Sequence, residues 1–245
     1  MNFEYNDYEY IVKSIQAQGY VFTNYKDYKN VDKPCIMRHD VDFSIEKAAE
    51  FADFESQLIE NGLKSVYFVL LSSNFYNLFS KESRQHLENI QKHGHLIGLH
   101  FDETQYDIGS DESLIIEKIQ EEVSVLSQLL SSDVTCVSMH RPSKNLLDKN
   151  LVIPNVVNSY SNTFFKDFKY VSDSRMNWRE SPIDAINDNN SNALHVLTHP
   201  FWYGWNNITE RLKDFVESAS MERYNMLNKN IRDLKRDLRV EDVLR

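Results

Sequence analysis

The sequence is short of cysteine, glycine and proline, and each shortage excludes a class of protein. Its two cysteines, Cys35 and Cys136, lie in apolar runs, so we expect small buried side chains and neither a disulfide nor a thiolate metal site. With six glycines and five prolines, the chain has no linker, repeat or low-complexity tract. We predict a single domain over residues 1–245. It would comprise an N-terminal helical extension (1–33), the part that carries the strand motifs (34–205) and C-terminal helices (206–245).

Long hydrophobic runs and an excess of positive charge are also missing. The longest apolar stretches are short, such as residues 66–71, so no segment is expected to cross a bilayer. Residues 1–8 lack the basic and apolar regions of a secretory signal, which favours a cytoplasmic location. Against 37 Asp and Glu there are only 27 Lys and Arg, for a net charge of −10. Nucleic acid is therefore a poor partner.

What the sequence does contain is a regular alternation of short apolar runs and amphipathic segments. The runs predict strands, and the segments, whose apolar residues recur at helical spacing, predict helices. Because parallel strands need crossover connections, this alternation implies a parallel sheet or an α/β barrel. The predicted strands cover residues 34–38, 65–71, 96–99, 134–139, 156–157, 170–171 and 193–197, and the predicted helices residues 8–18, 44–63, 80–93, 111–130, 144–150 and 207–244.

Histidine, aspartate and arginine residues follow five of the predicted strands. The carboxyl ends of parallel strands meet at one mouth in barrels and in open α/β sheets. We therefore expect these side chains to share one pocket, although they are far apart along the chain. The segments are Arg38 to Asp42, His100 to Glu103, His140 to Pro142, Ser172 to Arg175 and Thr198 to Pro200.

The residue types at this mouth favour metal-assisted hydrolysis. Asp40 and Asp42 point the same way on an extended segment, so their ionised forms repel unless a cation or an arginine lies between them. Carboxylates and imidazoles together suit zinc or a similar divalent ion. Such an ion lowers the pKa of bound water and polarises a carbonyl. A free carboxylate can then accept the water's proton, while a separate histidine protonates the leaving group.

Several of these residues also have a plain structural interpretation. Asp42 could cap the helix that follows it. The pair His93 and His95 precedes a strand, and so is expected at the opposite end from the mouth. His195 lies inside an apolar run and is expected in the core. Arg141 could form a surface salt bridge, although its place beside His140 favours the orientation of a carboxylate.

At these residues the chain resembles the polysaccharide deacetylase family, the NodB-homology enzymes of carbohydrate esterase family 4. The resemblance covers about residues 34–205 and implies a distorted (β/α)7 barrel, here with an extra N-terminal helix and a C-terminal helical extension. Five motifs occur in the family's order. They are Arg38 to Asp42, Gly94 to His100, Arg141-Pro142, Asp173 with Trp178, and Leu197 to His199.

The resemblance also implies roles for individual residues. Carried over by position, Asp40 is the general base, Asp42 and His100 bind the metal, and His199 is the general acid. Two departures from the family's motifs leave alternatives open. Val41 separates the paired aspartates, which are normally adjacent, so the roles of Asp40 and Asp42 could be exchanged.

The second departure concerns the third metal ligand. The family's second metal-binding histidine lies four residues after the first, where this chain has Thr104. His140, at the adjacent strand end, is the preferred replacement, with Asp102, Glu103 and His39 as alternatives. If none of them serves, the metal is weakly held or absent.

Around this centre, supporting residues are expected as well. By the same resemblance, Arg141 would orient Asp40, and Asp173 or Trp178 would support His199. Aromatic residues near a mouth form stacking platforms for sugar rings, so Trp178, Trp202 and Tyr203 are the expected substrate-binding residues. The alternative for the aromatic residues beside His199 is a place in the core.

Together these features predict a metal-dependent hydrolase, with zinc as the expected metal, that removes an N-acetyl group from an amino sugar. Without a secretion signal, the expected substrate is a cytoplasmic precursor of surface polysaccharide, such as a nucleotide-linked or lipid-linked glycan. A hydrolase of a non-sugar amide is one alternative, and a non-catalytic carbohydrate-binding relative that lost a metal ligand is another. The apolar residues of the C-terminal helix either cover the barrel or pair with a second copy of the chain.

Overall fold

The protein is described by a computed structural model, which covers residues 1–60, 62–109, 111–188 and 191–234. Strands and helices alternate along most of the chain. The strands are β1 (Val21–Thr23), β2 (Pro34–Val41), β3 (Val66–Leu70), β4 (Leu96–Phe101), β5 (Cys136–Met139), β6 (Val157–Asn158), β7 (Lys169–Ser172) and β8 (Leu194–Thr198). The helices are α1 (Tyr5–Ala17), α2 (Ile45–Ser56), α3 (Lys81–Lys92), α4 (Glu112–Leu130), α5 (Lys144–Leu147), α6 (Pro182–Asn187) and α7 (Ile208–Leu234).

The sheet is parallel throughout, with β2 near its centre. The strand order is β6-β5-β4-β3-β2-β8-β7. The short β1 pairs with the first half of β2, on the edge where β3 pairs with the second half. Within the described residues β6 and β7 do not pair, so the barrel is open between them. This topology confirms the predicted distorted (β/α)7 barrel.

Strand β2 presents different side chains to the two sides of the sheet, because successive residues of a strand point to opposite faces. Its outward residues, among them Met37 and Val41, pack with the buried faces of the helices. Its inward residue Ile36 packs in a separate core inside the barrel, with Phe68 and Phe164. That inner core fills the bottom of the barrel, so the next inward residues of β2 lie nearer the mouth.

The elements follow the predicted alternation, with differences in the number of elements and in where some of them end. β1 and α6 are missing from the prediction, because segments of three and six residues carry too little periodicity to be recognised. Helix α2 ends at Ser56, seven residues earlier than predicted. Helix α7 is described as one helix to Leu234, and the remainder of the helix predicted over 207–244 lies outside the described residues.

The structure also shows the state of the two cysteines and the residue that caps α2. Cys35 and Cys136 are buried free thiols, as expected. Helix α2 is capped by Ser44, whose hydroxyl accepts a hydrogen bond from the Lys47 amide nitrogen at 3.1 Å. The interpretation of Asp42 as the cap of this helix is therefore wrong. None of the helices in the described part of the chain combines the length and the apolar character needed to span a membrane.

Candidate active site

The mouth of the barrel contains a cavity of about 840 Å³. It lies beyond the carboxyl ends of the strands, where loops can be shaped without disturbing the sheet. The predicted metal ligands, base and acid all line it, although they come from four different strand ends. These residues are Asp40, Asp42, His100, His140 and His199.

Asp42, His100 and His140 form a compact cluster in this cavity. The Asp42 Oδ1 atom lies 3.3 Å from His100 Nε2 and 3.4 Å from His140 Nδ1, and the two ring nitrogens lie 3.1 Å apart. In a tetrahedral zinc site with ligand bonds of about 2.0–2.1 Å, neighbouring ligand atoms are about 3.3 Å apart. The three atoms therefore have the spacing of one face of such a site.

The chemistry of the donors fits a cation as well as their spacing does. Asp42 Oδ1 is buried and accepts no hydrogen bond from the described residues, which is unfavourable for a carboxylate unless a cation takes that place. His100 Nδ1 faces the Ser138 carbonyl oxygen at 3.3 Å. Donation to this carbonyl leaves Nε2 free as a ligand, an arrangement typical of metal-binding histidines. The residues present thus fit a divalent metal ion.

The alternative third ligands lie elsewhere. His39 is buried on the outer side of β2, where its Nδ1 contacts the Thr198 hydroxyl at 2.7 Å. Asp102 accepts hydrogen bonds from Thr104, and Glu103 accepts one from the Ser143 hydroxyl at 3.2 Å. Among the candidates named from the sequence, only His140 stands in the cluster with Asp42 and His100.

Asp40 is held by an arginine of its own strand. The Arg38 guanidinium donates from Nε to Asp40 Oδ1 at 2.9 Å and from Nη2 to Oδ2 at 2.8 Å. Nη2 also donates to the Ser138 hydroxyl, and the guanidinium lies over the Tyr160 ring, 4.7 Å from its centroid. Burial alone would raise the pKa of Asp40, but Arg38 outweighs it and keeps the pKa below its usual range. Asp40 is therefore an oriented, ionised carboxylate.

Arg141 does not have the position that the sequence suggested. It is exposed and lines the cavity, but no hydrogen bond or ion pair joins it to Asp40 in the described part of the chain, and both oxygens of Asp40 are taken by Arg38. The sequence did carry a signal for the correct arginine. Arg38, Asp40 and Asp42 are spaced by two residues, so on an extended strand they share one face.

His199 is oriented by Asp173, one of the two supports proposed for it. Its Nδ1 donates to Asp173 Oδ1 at 2.6 Å, and its backbone amide donates to Asp173 Oδ2 at 3.0 Å. Burial alone would lower the pKa of His199, but the Asp173 carboxylate, aided by Asp40 and Asp42, raises it to about 9. His199 Nε2 faces the cluster, 4.0 Å from Asp42 Oδ2. The imidazole is positioned to carry a proton on the nitrogen that faces the cavity.

Of the three aromatic residues expected to bind substrate, only Trp202 lines the cavity. Its ring centroid lies 6.0 Å from that of His199. Tyr203 is buried in the main core, with its ring centroid 5.5 Å from that of Tyr8, and Trp178 packs against the same core. The structure places these two rings away from the cavity lining, because closeness in sequence to a mouth residue does not decide which way a side chain points. Aromatic rings that the sequence analysis missed, Tyr160 and Phe165, line the cavity instead.

Behind β2, on the side away from the cavity, lies a second group of buried polar residues. Its centre is the Glu55 carboxylate of α2, which is fully buried. Burial raises the pKa of Glu55, but His39, His95 and the hydrogen bond from Ser65 outweigh it and lower the pKa to about 2. The hydrogen-bonding partners of Glu55 are Tyr8, His39, Ser65 and Tyr67.

His195 is a buried core residue, as expected from its place inside an apolar run. Its ring nitrogens form hydrogen bonds with the Tyr25 hydroxyl and the Phe164 carbonyl oxygen.

We expect the replacement Glu55→Gln to lower the free energy of unfolding at pH 7 by about 3 kcal/mol. This is the free-energy equivalent of the shift in the Glu55 pKa from 4.5 to about 2. A lowered folded-state pKa stabilises the fold above the unfolded value of 4.5 and loses that effect as the pH falls towards 2. Urea unfolding measured from pH 7 to pH 3 should therefore show the wild-type advantage shrinking below pH 4.5. Glu50→Gln, an exposed position on the same helix, serves as control, with an expected change within about 0.5 kcal/mol. A pH-independent difference would contradict the assignment.

No family model matches the sequence, and no curated protein matches it either. Several solved structures do. The deacetylase PplD of Streptococcus pyogenes, in complex with acetate, is 10% identical over 80% of this chain and 81% of its own, with a TM-score of 0.43. The chitin deacetylase of the fungal pathogen Colletotrichum lindemuthianum is 13% identical over 82% of this chain and 87% of its own, with a TM-score of 0.42.

A CE4 family pseudoenzyme from Bacillus anthracis is also similar, at 12% identity over 78% of this chain and 61% of its own, with a TM-score of 0.38.

Proposed function

We propose that this protein is a metal-dependent hydrolase that removes the N-acetyl group from an amino sugar. The observation that carries the proposal is the cluster of Asp42, His100 and His140 in one cavity with an oriented carboxylate, Asp40, and a histidine held by a buried aspartate, His199. These are the parts that hydrolysis of an amide needs: a cation site, a base and an acid. Zinc is the proposed metal, because two imidazoles and one carboxylate suit it.

Asp42, His100 and His140 would hold the ion, leaving one position for water or substrate. When bound, the metal ion lowers the pKa of water and polarises the carbonyl of the acetyl group. The two aspartates of β2 and the segment after it have different roles. Asp40 is assigned as base and Asp42 as ligand, because Asp40 is bonded to Arg38 while Asp42 stands between the two imidazoles. This ordering agrees with the one carried over from the family by position.

In the proposed reaction Asp40 accepts a proton from water as the water oxygen bonds to the carbonyl carbon. His199 then donates the proton on Nε2 to the nitrogen of the leaving amine as the carbon–nitrogen bond breaks. The products are acetate and the free amino sugar. Arg38 keeps Asp40 ionised and oriented, and Asp173 keeps His199 protonated and oriented. The rings of Trp202 and Tyr160 at the cavity wall offer surfaces on which a sugar ring can stack.

The proposal is tested by measuring release of free amine from N-acetylglucosamine by the zinc-loaded protein. We expect turnover that is lost with a chelator and restored by zinc, and a drop in kcat of about 10²–10⁴-fold for His199→Ala, since that is the usual contribution of a general acid. His86→Ala, on α3 and outside the cavity, is the matched control and should keep wild-type kcat.

Two outcomes would oppose the proposal in different ways. Hydrolysis of small non-sugar amides, with N-acetyl sugars untouched, would keep the hydrolase and change the substrate class. Tight glycan binding by metal-free protein, without turnover under any metal, would replace the hydrolase by a carbohydrate-binding protein. The predicted cytoplasmic location and the precursor nature of the substrate stay predictions.

A further inference from the structure

Three arginines line the active-site cavity and have no hydrogen-bond or ion-pair partners among the described residues. Arg141, Arg175 and Arg179 are all exposed at the cavity. None of the three side chains forms a hydrogen bond or ion pair with another of the described residues. The chain has a net charge of −10, so a cavity rim of average composition would be neutral or acidic. The concentration of unpaired arginines at this rim therefore indicates a functional role.

Two carboxylates that line the same cavity are already paired with cationic side chains that lie outside it. Asp40 is paired with the buried Arg38, and Glu180 is paired with Lys169 at 2.8 Å. Neither Arg38 nor Lys169 lines the cavity. Asp42 belongs to the metal cluster. The charge of the three arginines is therefore not balanced by the carboxylates beside them, and it attracts an anion.

The arginines stand on both sides of the catalytic groups. Arg141 directly follows the metal ligand His140 at the end of β5. Arg175 and Arg179 follow Asp173, the support of His199, at the end of β7. In the strand order of the sheet, β4, β2 and β8, whose ends carry His100, Asp42 and His199, lie between β5 and β7.

The backbone at two of these positions is unusual for arginine. Arg141 has φ of 46° and Arg175 has φ of 61°, both in the left-handed region. Residues other than glycine, asparagine and aspartate seldom adopt it, and such strain concentrates at functional sites. Seven non-glycine residues of the described part have a positive φ, and three of them, Arg141, Arg175 and Met176, line the cavity.

We propose that the substrate carries a phosphate group, which Arg141, Arg175 and Arg179 bind at the rim of the cavity. The inference rests on the proposed function and narrows its substrate to a phosphorylated N-acetyl amino sugar. Phosphate fits better than a carboxylate, because one arginine satisfies a carboxylate, whereas a phosphate or diphosphate offers more charge and more oxygens to several guanidinium groups. The cavity volume of about 840 Å³ lies within the range of small-molecule sites.

The first test compares hydrolysis of N-acetylglucosamine, N-acetylglucosamine 1-phosphate and UDP-N-acetylglucosamine by zinc-loaded protein. We expect kcat/KM to be at least about tenfold higher for one of the phosphorylated sugars than for the neutral sugar, which separates a phosphate monoester from a diphosphate source. In the variant R141A/R175A/R179A that ratio should fall to about one. The control is Arg84→Ala, an exposed arginine of α3 outside the cavity, which should keep the wild-type ratio.

The second test measures binding without turnover. Titration calorimetry with glucosamine 1-phosphate, which has no acetyl group to lose, should show binding that weakens about 10- to 100-fold in the triple variant and also weakens with added salt. Thermal unfolding of the triple variant shows whether it is folded. Should it unfold, the three single arginine variants are used in its place.

The two tests separate failure of the inference from failure of the proposed function. Equal kcat/KM for neutral and phosphorylated sugars, or equal affinity of wild type and variants for glucosamine 1-phosphate, would overturn the phosphate site while leaving the hydrolase intact. Arginine-dependent binding without hydrolysis of any sugar would support the site and overturn the deacetylase.

Discussion

In the zinc-loaded protein, replacing Asp42 by alanine is expected to abolish zinc retention and to lower kcat/KM of the proposed hydrolysis by about 10³-fold. Asp42 supplies the carboxylate of the cluster, within 3.4 Å of both imidazole nitrogens. A metal acting as Lewis acid contributes several kcal/mol of transition-state stabilisation, and each 1.36 kcal/mol is tenfold in rate. Metal content after zinc loading and dialysis, together with the rate of amine release, measures both effects.

Asp102→Ala is the matched control for this variant. Asp102 is a neighbouring carboxylate that the sequence left open as a ligand, but the structure uses it to accept hydrogen bonds from Thr104 and Gln105. The control should therefore retain the metal. The ligand assignment would be wrong if Asp42→Ala still bound one zinc ion per chain, or if Asp102→Ala lost it. His140→Ala checks the third ligand by the same measurement.

The second large effect is expected for Arg38→Met. Arg38 and Asp40 form an ion pair with side-chain exposures of 0% and 5%. Removing one partner of a buried pair leaves the other charge uncompensated and typically costs about 3–5 kcal/mol. We expect a loss of this size in the free energy of unfolding, measured with urea, and loss of hydrolysis, because the remaining carboxylate loses the partner that keeps its pKa low.

A double variant separates the two consequences. Arg38→Met combined with Asp40→Asn has no buried unpaired charge, so it should regain most of the lost stability while remaining inactive. Arg38→Lys retains a charge but cannot donate two parallel hydrogen bonds, so we expect an intermediate stability. If Arg38→Met unfolded at the wild-type urea concentration, the pair would not have the importance given to it here.

Much of the site could be predicted because parallel strands bring their carboxyl ends together. That rule placed His140 beside His100 although the two are forty positions apart, and it indicated a candidate third ligand for a chain that has Thr104 where the family motif has a histidine. Spacing by two residues also carried the information that Arg38 faces the same side as Asp40. The motif from the family directed attention to Arg141, which lies at the rim.

The orientation of side chains in irregular segments could not be predicted. Trp178 and Tyr203 lie six and five residues after the strands that precede them, and Trp202 lies four residues after β8. Trp178 and Tyr203 nevertheless pack against the core, because the φ and ψ angles of a loop are not encoded in a hydrophobic period. The Glu55 group was missed for another reason. Its members come from α1, α2, β2, β3 and the residue before β3, and only the packed tertiary structure brings them into contact.

The two-sided character of β2 has a consequence for how this protein can change during evolution. An insertion or deletion of one residue in β2 would exchange its faces, turning Arg38 and Asp40 towards α2 and His39 into the cavity. The candidate active site and the Glu55 group would be disrupted together, which constrains the length of this strand. The segments after β5 and β7, which carry the rim arginines, do not contribute side chains to the Glu55 group. Those segments can therefore vary in sequence and length during evolution while the candidate active site carried by β2 stays unchanged.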